Sequence, residues 1–361
     1  MEGLGAQAQA MTPAAMPPGQ KRKFTILLIL KNLGKVAFMF GFVYVFTLLF
    51  DESNAIIGIT IASAILMFMN VDIGIKPVQA SFLIFYLFLH IGFFSYLCLW
   101  NPFLGILINL VAIYFILTLS GQQLQAKSYF PFLTGYVFAV GAPVSGAAFG
   151  YRMLGLAVGG AITAIVYFIF HHKEKPSRGI LDVLKQIHFT STRHRFIVRM
   201  TAGLVIAMFI GDIFNIQRPA WISMTVLSLT VPFTHEAKER IVQRVIGTVI
   251  GAFVFVILFE YLIPDQFHVW CLLATMFVSL FITNYQWQMV FITINSLNGG
   301  LIFYSADTAI ETRMAWVFLG IAIVIALNLL AKLDLLDRID IAFRKTRRRH
   351  RLKKILKQNK S

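Results

Sequence analysis

Apolar runs of about 20 residues, the length a helix needs to cross hydrocarbon, recur along the whole chain. That pattern fixes the solvent in which the chain folds. A bilayer core offers no water to backbone N–H and C=O groups, so only helices and closed barrels cross it, and runs of this length are helical. Composition agrees: 58% of the 361 residues are hydrophobic and 13% charged, with mean hydropathy +0.75. Soluble domains carry about 45–50% apolar and about 25% charged residues. The expected fold is all-α, a polytopic helical membrane protein.

Six spans are expected near 35–50, 55–70, 79–99, 103–119, 129–147 and 152–171. Six more are expected near 196–211, 219–233, 243–263, 266–283, 286–305 and 313–332. This layout predicts about 12 transmembrane helices as two parallel six-helix repeats, at 35–171 and 196–333. Residues 1–34 read as a disordered Ala/Gly/Pro/Gln-rich tail followed by an interfacial helix at 24–36, too short and too charged to span. Residues 172–195 form a polar connector. Within it Ile180, Val183, Leu184 and Ile187 recur at helical spacing, as an amphipathic helix requires. Residues 334–361 are a polybasic tail suited to anionic headgroups.

All but three of the 32 Lys and Arg fall on one side of this topology, the exceptions being Arg152, Arg218 and Arg313. The positive-inside rule then puts both termini and the connector in the cytoplasm. The formal charge of +16 therefore flanks membrane spans and does not mark a nucleic-acid surface. Sliding the halves so that Met200 falls on Met39 also brings Asp212 onto Asp51 and Asn215 onto Asn54. The same register places Arg313-Met314 on Arg152-Met153 and Gly320 on Gly159. The second segment of each half, 55–69 and 219–233, is short, and paired short segments point to transporter binding sites.

Charges close to hydrocarbon are costly and so mark candidate sites. Arg218 opens a short span on the outer side, with Asp212 upstream and Trp221 downstream. A guanidinium beside an indole can hold an aromatic carboxylate; equally, Arg and Trp anchor span ends at the interface. Arg244 either pairs with Glu236 or Glu239 or meets an anion leaving the cytoplasm. Arg218, Trp221, Asp212 and Arg244 are the candidate substrate-binding residues, and Arg218 is expected to matter more than Arg313. Glu260 and His90 are candidate proton-coupling groups, against headgroup contact for Glu260 and a hydrogen-bonded structural role for His90. Gly155 with Gly159, and Gly247 with Gly251, suit close helix packing.

Cys98 and Cys271 lie in apolar runs without metal-ligand spacing and read as small core residues. No nucleotide-binding P-loop, zinc spacing or nucleophile elbow occurs. Neither enzymatic activity nor a cofactor or metal is expected.

The unit formed by Arg218-Pro219-Ala220-Trp221, Thr225-Val226 through Pro232, and Arg244-Val245-Ile246-Gly247-Thr248-Val249-Ile250-Gly251 resembles the fusaric-acid-resistance and aromatic-acid-exporter (FUSC-type) superfamily. The resemblance implies export of small organic anions across a bacterial inner membrane, in many members beside a periplasmic membrane-fusion adaptor; plant relatives act as anion channels. The chain departs from larger members in its short connector and in carrying Ile57 and Thr60 where the second half has Arg218 and Trp221. The leading expectation is an efflux transporter for aromatic or hydrophobic carboxylates. A passive organic-anion channel, a non-transporting scaffold and a homo-oligomer stay open.

Overall fold

The computed structural model describes residues 18–332 except 175, 186–190, 217 and 302–305. The tail before Pro18, Ile187 of the connector and the polybasic tail lie outside the described residues. The first half comprises α1 (Pro18–Phe50), α2 (Ala55–Phe68), α3 (Pro77–Leu97), α4 (Pro102–Ser120), α5 (Phe130–Gly141) and α6 (Gly146–His171). The connector carries α7 (Ile180–Lys185). Next come α8 (Thr192–Ile213), α9 (Ala220–Leu229), α10 (Thr234–Val256), α11 (His268–Ser279), α12 (Tyr285–Leu301) and α13 (Ala306–Lys332). Among the described residues there are no strands, and 7 helical stretches are long and apolar enough to cross a membrane. The chain is a multi-pass helical membrane protein.

Local chemistry sets the helix ends. Pro77 and Pro102 occupy first-turn positions, where the missing N–H costs nothing. The Asn101 side chain accepts from the N–H groups of Phe103 and Leu104, and Ser191 accepts from His194. The interfacial piece expected at 24–36 is not a separate element. It is continuous with the first span in one rod, Pro18–Phe50, because no proline or cap interrupts it and Lys35 turns along the helix to donate to Asn32.

Other segments are shorter than expected. The fifth and tenth, read as 129–147 and 266–283, are helical only over Phe130–Gly141 and His268–Ser279. Ala142 precedes Pro143 and leaves the helical region at φ −131°, ψ 71°; Pro264 and a tight turn over Asp265–Phe267 delay the start of α11. The second and eighth are also short, as their sequences suggest. At 1.5 Å per residue α9 is about 15 Å long, half the ~30 Å hydrocarbon thickness.

One core joins the first half to α8, α9 and α13, while α10, α12 and the start of α13 enclose a second, smaller core. Helix α4 packs on α8, and α1 touches α11. The connector helix buries Val183 against the bundle, and the N–H of Ile180 donates to Gln79. Paired glycines lie where helices meet most closely. A Cβ on Gly155 would sit 2.6 Å from the Phe46 ring, and one on Gly159 would sit 2.5 Å from Ile61. On α10 the nearest neighbours are backbone: a Cβ on Gly247 would sit 2.6 Å from the Gln286 carbonyl oxygen, and one on Gly251 would sit 2.7 Å from that of Val290.

A carbonyl in a helix cannot rotate away. Gly247→Leu is therefore expected to cost more than the ~1–3 kcal/mol usual for overpacking. The measurement is thermal unfolding and size-exclusion behaviour in detergent; a well-folded but inactive variant would instead place Gly247 on the transport path.

Candidate functional site

Helix α9 is the centre of the site, and its brevity brings distant charges together. It begins after Arg218, which takes the left-handed conformation at φ 58°, and Pro219. It ends at Thr230, two residues before Pro232. Carbonyls freed at that end find a donor in Arg199 of α8, whose guanidinium bonds the Val231 and Pro232 oxygens at 2.9 Å and Asn328 at 2.8 Å. A broken helix at membrane depth is tolerable only with such partners.

At the start of α9, two guanidinium groups lie over the buried Trp221 indole. Arg218 is 5.4 Å from the ring centre and Arg313, from α13, is 5.0 Å away, both within cation–π range. Arg218 also donates to the Gly299 carbonyl at 3.2 Å. One turn along α9, Thr225 donates to the Trp221 carbonyl and accepts from Arg244 of α10 at 3.3 Å. A second Arg244 nitrogen rests against the Met289 thioether. Arg244 and Arg313 thus meet α9 at residues a single turn, about 5.4 Å, apart, and the Arg244 charge is felt at Arg313.

Both are buried, each at 3% exposure, and the Nε of each has no hydrogen-bond partner. Among the described residues no carboxylate lies within 4 Å of either. Removing such a charge from water costs several kcal/mol unless an opposite charge compensates. The first half disposes of its equivalent cation differently. Arg152 is as deeply buried, but it donates to Asn54 Oδ1 at 2.8 Å and to the Ala139 carbonyl at 3.1 Å, with Ser53 at the margin.

Beyond the start of α10, Arg240 stacks over Tyr285 at 5.2 Å. Lys127, in the loop between α4 and α5, has its ammonium pushed below the ordinary lysine range by burial and then by the Arg240 charge.

The sequence candidates divide. Arg218, Trp221 and Arg244 converge on α9. Asp212 sits half-buried on the last turn of α8, where its charge is felt by Cys98 and Tyr136 of the first half. Glu260 is exposed on a widened helical turn, Ile257–Leu262. His90 is buried between the Ala112 carbonyl at 3.2 Å and the Tyr86 hydroxyl at 3.3 Å, stacked on Phe94. Sequence reasoning ranked Arg218 above Arg313, yet both share one ring and Arg313 is the more deeply buried. Its register with Arg152 was the available signal. Thr225 is marked only as part of the motif that carries the resemblance, and Met289 and Arg199 carry no signal.

Arg218, Trp221, Thr225, Arg240, Arg244, Tyr285, Met289 and Arg313 all fall within residues 206–327, which match the family described as "Fusaric acid resistance protein-like", while Lys127, Arg199 and Asn328 lie outside it. Over that stretch, about a third of the chain, the sequence is similar to this family. The chain is also similar to the "Uncharacterized protein YhfK" of Escherichia coli (strain K12), at 31% identity over 101 residues, 27% of this chain and 14% of that protein. It is similar to the "Uncharacterized protein ORF2" of Neisseria gonorrhoeae at 30% identity over 144 residues, 36% of this chain and 34% of that one. The matched parts cover well under two thirds of either relative's length. No solved structure matches.

Proposed function

We propose that this protein carries small organic anions, in particular aromatic or hydrophobic carboxylates, outward across the bacterial inner membrane. The observation that carries this reading is the pair Arg244 and Arg313: buried, each with a free Nε and, among the described residues, no carboxylate within 4 Å. An anion would enter past Lys127 and Arg240, meet Arg244, and pass one turn along α9 to Arg313 and Arg218, its ring against Trp221. Two weak stations close together favour release as well as capture, as in multi-site conduction. A bidentate guanidinium–carboxylate contact supplies the selectivity, and a membrane-fusion adaptor would receive cargo at the Arg218 end.

The test is efflux of radiolabelled benzoate and cinnamate from proteoliposomes. Arg218→Ala is expected to lower the rate at least tenfold, and Arg218→Lys to restore part of it, since an ammonium cannot make the two-pronged contact. Rates equal to those of empty vesicles, for wild type and variants alike, would remove the reading.

Two parallel six-helix halves with cytoplasmic termini accommodate this path. Supporting the repeat, Gly159 packs on Ile61 of α2 just as Gly320 packs on Ile222 and Thr225 of α9. The first helix of each half also meets the fourth of the other. In a background without Cys98 and Cys271, Asn215→Cys should react with an impermeant maleimide added outside intact cells. Labelling only after permeabilisation would invert the orientation.

A passive anion channel is the second reading. It is favoured by His90 being bonded on both ring nitrogens and Glu260 facing outward, since neither is placed to relay a proton to the cluster. Benzoate current across a planar bilayer without a pH gradient would select it.

A further inference from the structure

At the end of α6 opposite Arg152, three side chains unrelated to the anion site come together. We propose that Asp72, His171 and Glu174 bind a divalent transition-metal ion, with Zn2+ the best match to the donors. One ligand atom from each lies within 4.8 Å of the others. The pairing is tertiary, because Asp72 follows α2 while His171 closes α6.

The hydrogen bonds determine what the imidazole can offer. His171 Nε2 is 2.9 Å from the Phe68 carbonyl. A carbonyl only accepts, so Nε2 carries the hydrogen and, in the neutral ring, Nδ1 presents a lone pair. That lone pair faces Glu174 Oε1 at 3.1 Å. Two acceptors held face to face repel each other unless something positive lies between them. Asp72 adds a second carboxylate, oriented by the hydroxyl of Tyr167, one turn before His171 and fully buried.

This is the arrangement metal sites use. The histidine's far nitrogen donates to a backbone carbonyl, a ligating carboxylate is held by a hydrogen bond, and the inner partners are buried. One nitrogen and two carboxylate oxygens suit Zn2+ with an open coordination position. Glu174, 49% exposed, faces the entry side while His171 is 7% exposed at its side chain. The nearby basic residues Lys173 and Arg178 are exposed. A bound ion would tie the loop after the short helix α2 to the end of α6.

The experiment uses the full chain in detergent, stripped with a chelator and titrated with Co2+ as a coloured probe. One equivalent is expected to give visible d–d absorption that Zn2+ displaces, and Zn2+ should raise the unfolding temperature. Both signals should vanish in His171→Ala and fall at least tenfold in Asp72→Asn and Glu174→Gln, while His268→Ala keeps them. Glu174 lies at the surface, so Glu174→Gln serves should His171→Ala fail to fold. The same cobalt spectrum in wild type and Glu174→Gln would overturn the site. So would no spectrum at all, with nitrogen NMR showing both His171 nitrogens protonated: the positive partner would then be a proton, in an imidazolium–carboxylate pair.

Discussion

Replacing Arg313 with methionine is expected to leave the protein folded, as stable as wild type or more so, while benzoate binding falls about 30- to 700-fold. The two halves of that result have separate causes. Arg313 is buried without a counter-charge among the described residues, and its Nε bonds to nothing. An apolar side chain of similar volume removes the desolvation penalty of that unpaired cation, several kcal/mol, against the loss of its cation–π contact with Trp221, about 2 kcal/mol when desolvated. An anion that uses the guanidinium loses a desolvated charge contact, about 2–4 kcal/mol, which gives the stated fold-change. Thermal unfolding and equilibrium binding of radiolabelled benzoate, on the same purified protein, read the two effects. A variant that unfolds more easily but binds normally would make Arg313 a packing residue and would falsify its place in the anion path.

Arg152→Met should do the reverse. The guanidinium there has acceptors to satisfy: Asn54 Oδ1 and the Ala139 carbonyl, both buried at the junction of α2, α5 and α6. Methionine would leave them without a donor, at about 1–3 kcal/mol each. The expected outcome is a loss of about 2–5 kcal/mol, seen as a lower unfolding temperature, with benzoate affinity of the folded fraction unchanged. Equal effects on binding at positions 152 and 313 would mean that both halves carry cargo. The contrast is informative because the two arginines share a register in sequence and a depth in the fold. They differ in whether the protein supplies their partners.

That difference could not be read along the chain. Asn54 and Asn215 align in the same register, so a sequence comparison predicts the same partner for both arginines. In the fold only Asn54 reaches its arginine, while Arg313 turns onto Trp221. The Arg218–Trp221 pair was legible because its members are three residues apart on one helix start. Arg244 was legible as a charge beside a span, though not for its contact with Thr225. For Asp212 the chain order is silent: its place upstream of Arg218 does not fix the direction of its helix face, and its charge is felt by Cys98 and Tyr136 of the first half.

Hydropathy summed over a window determined that this chain is helical, that it lives in a bilayer and roughly where each helix falls, since each depends on local composition alone. The segregation of Lys and Arg supplied the expected orientation for the same reason. Tertiary structure decided that Arg244 and Arg313 meet one turn apart on α9, and that Asp72 reaches His171. Those outcomes depend on which faces of helices far apart in sequence pack together. Packing is a relation between segments, and no window along one segment contains it.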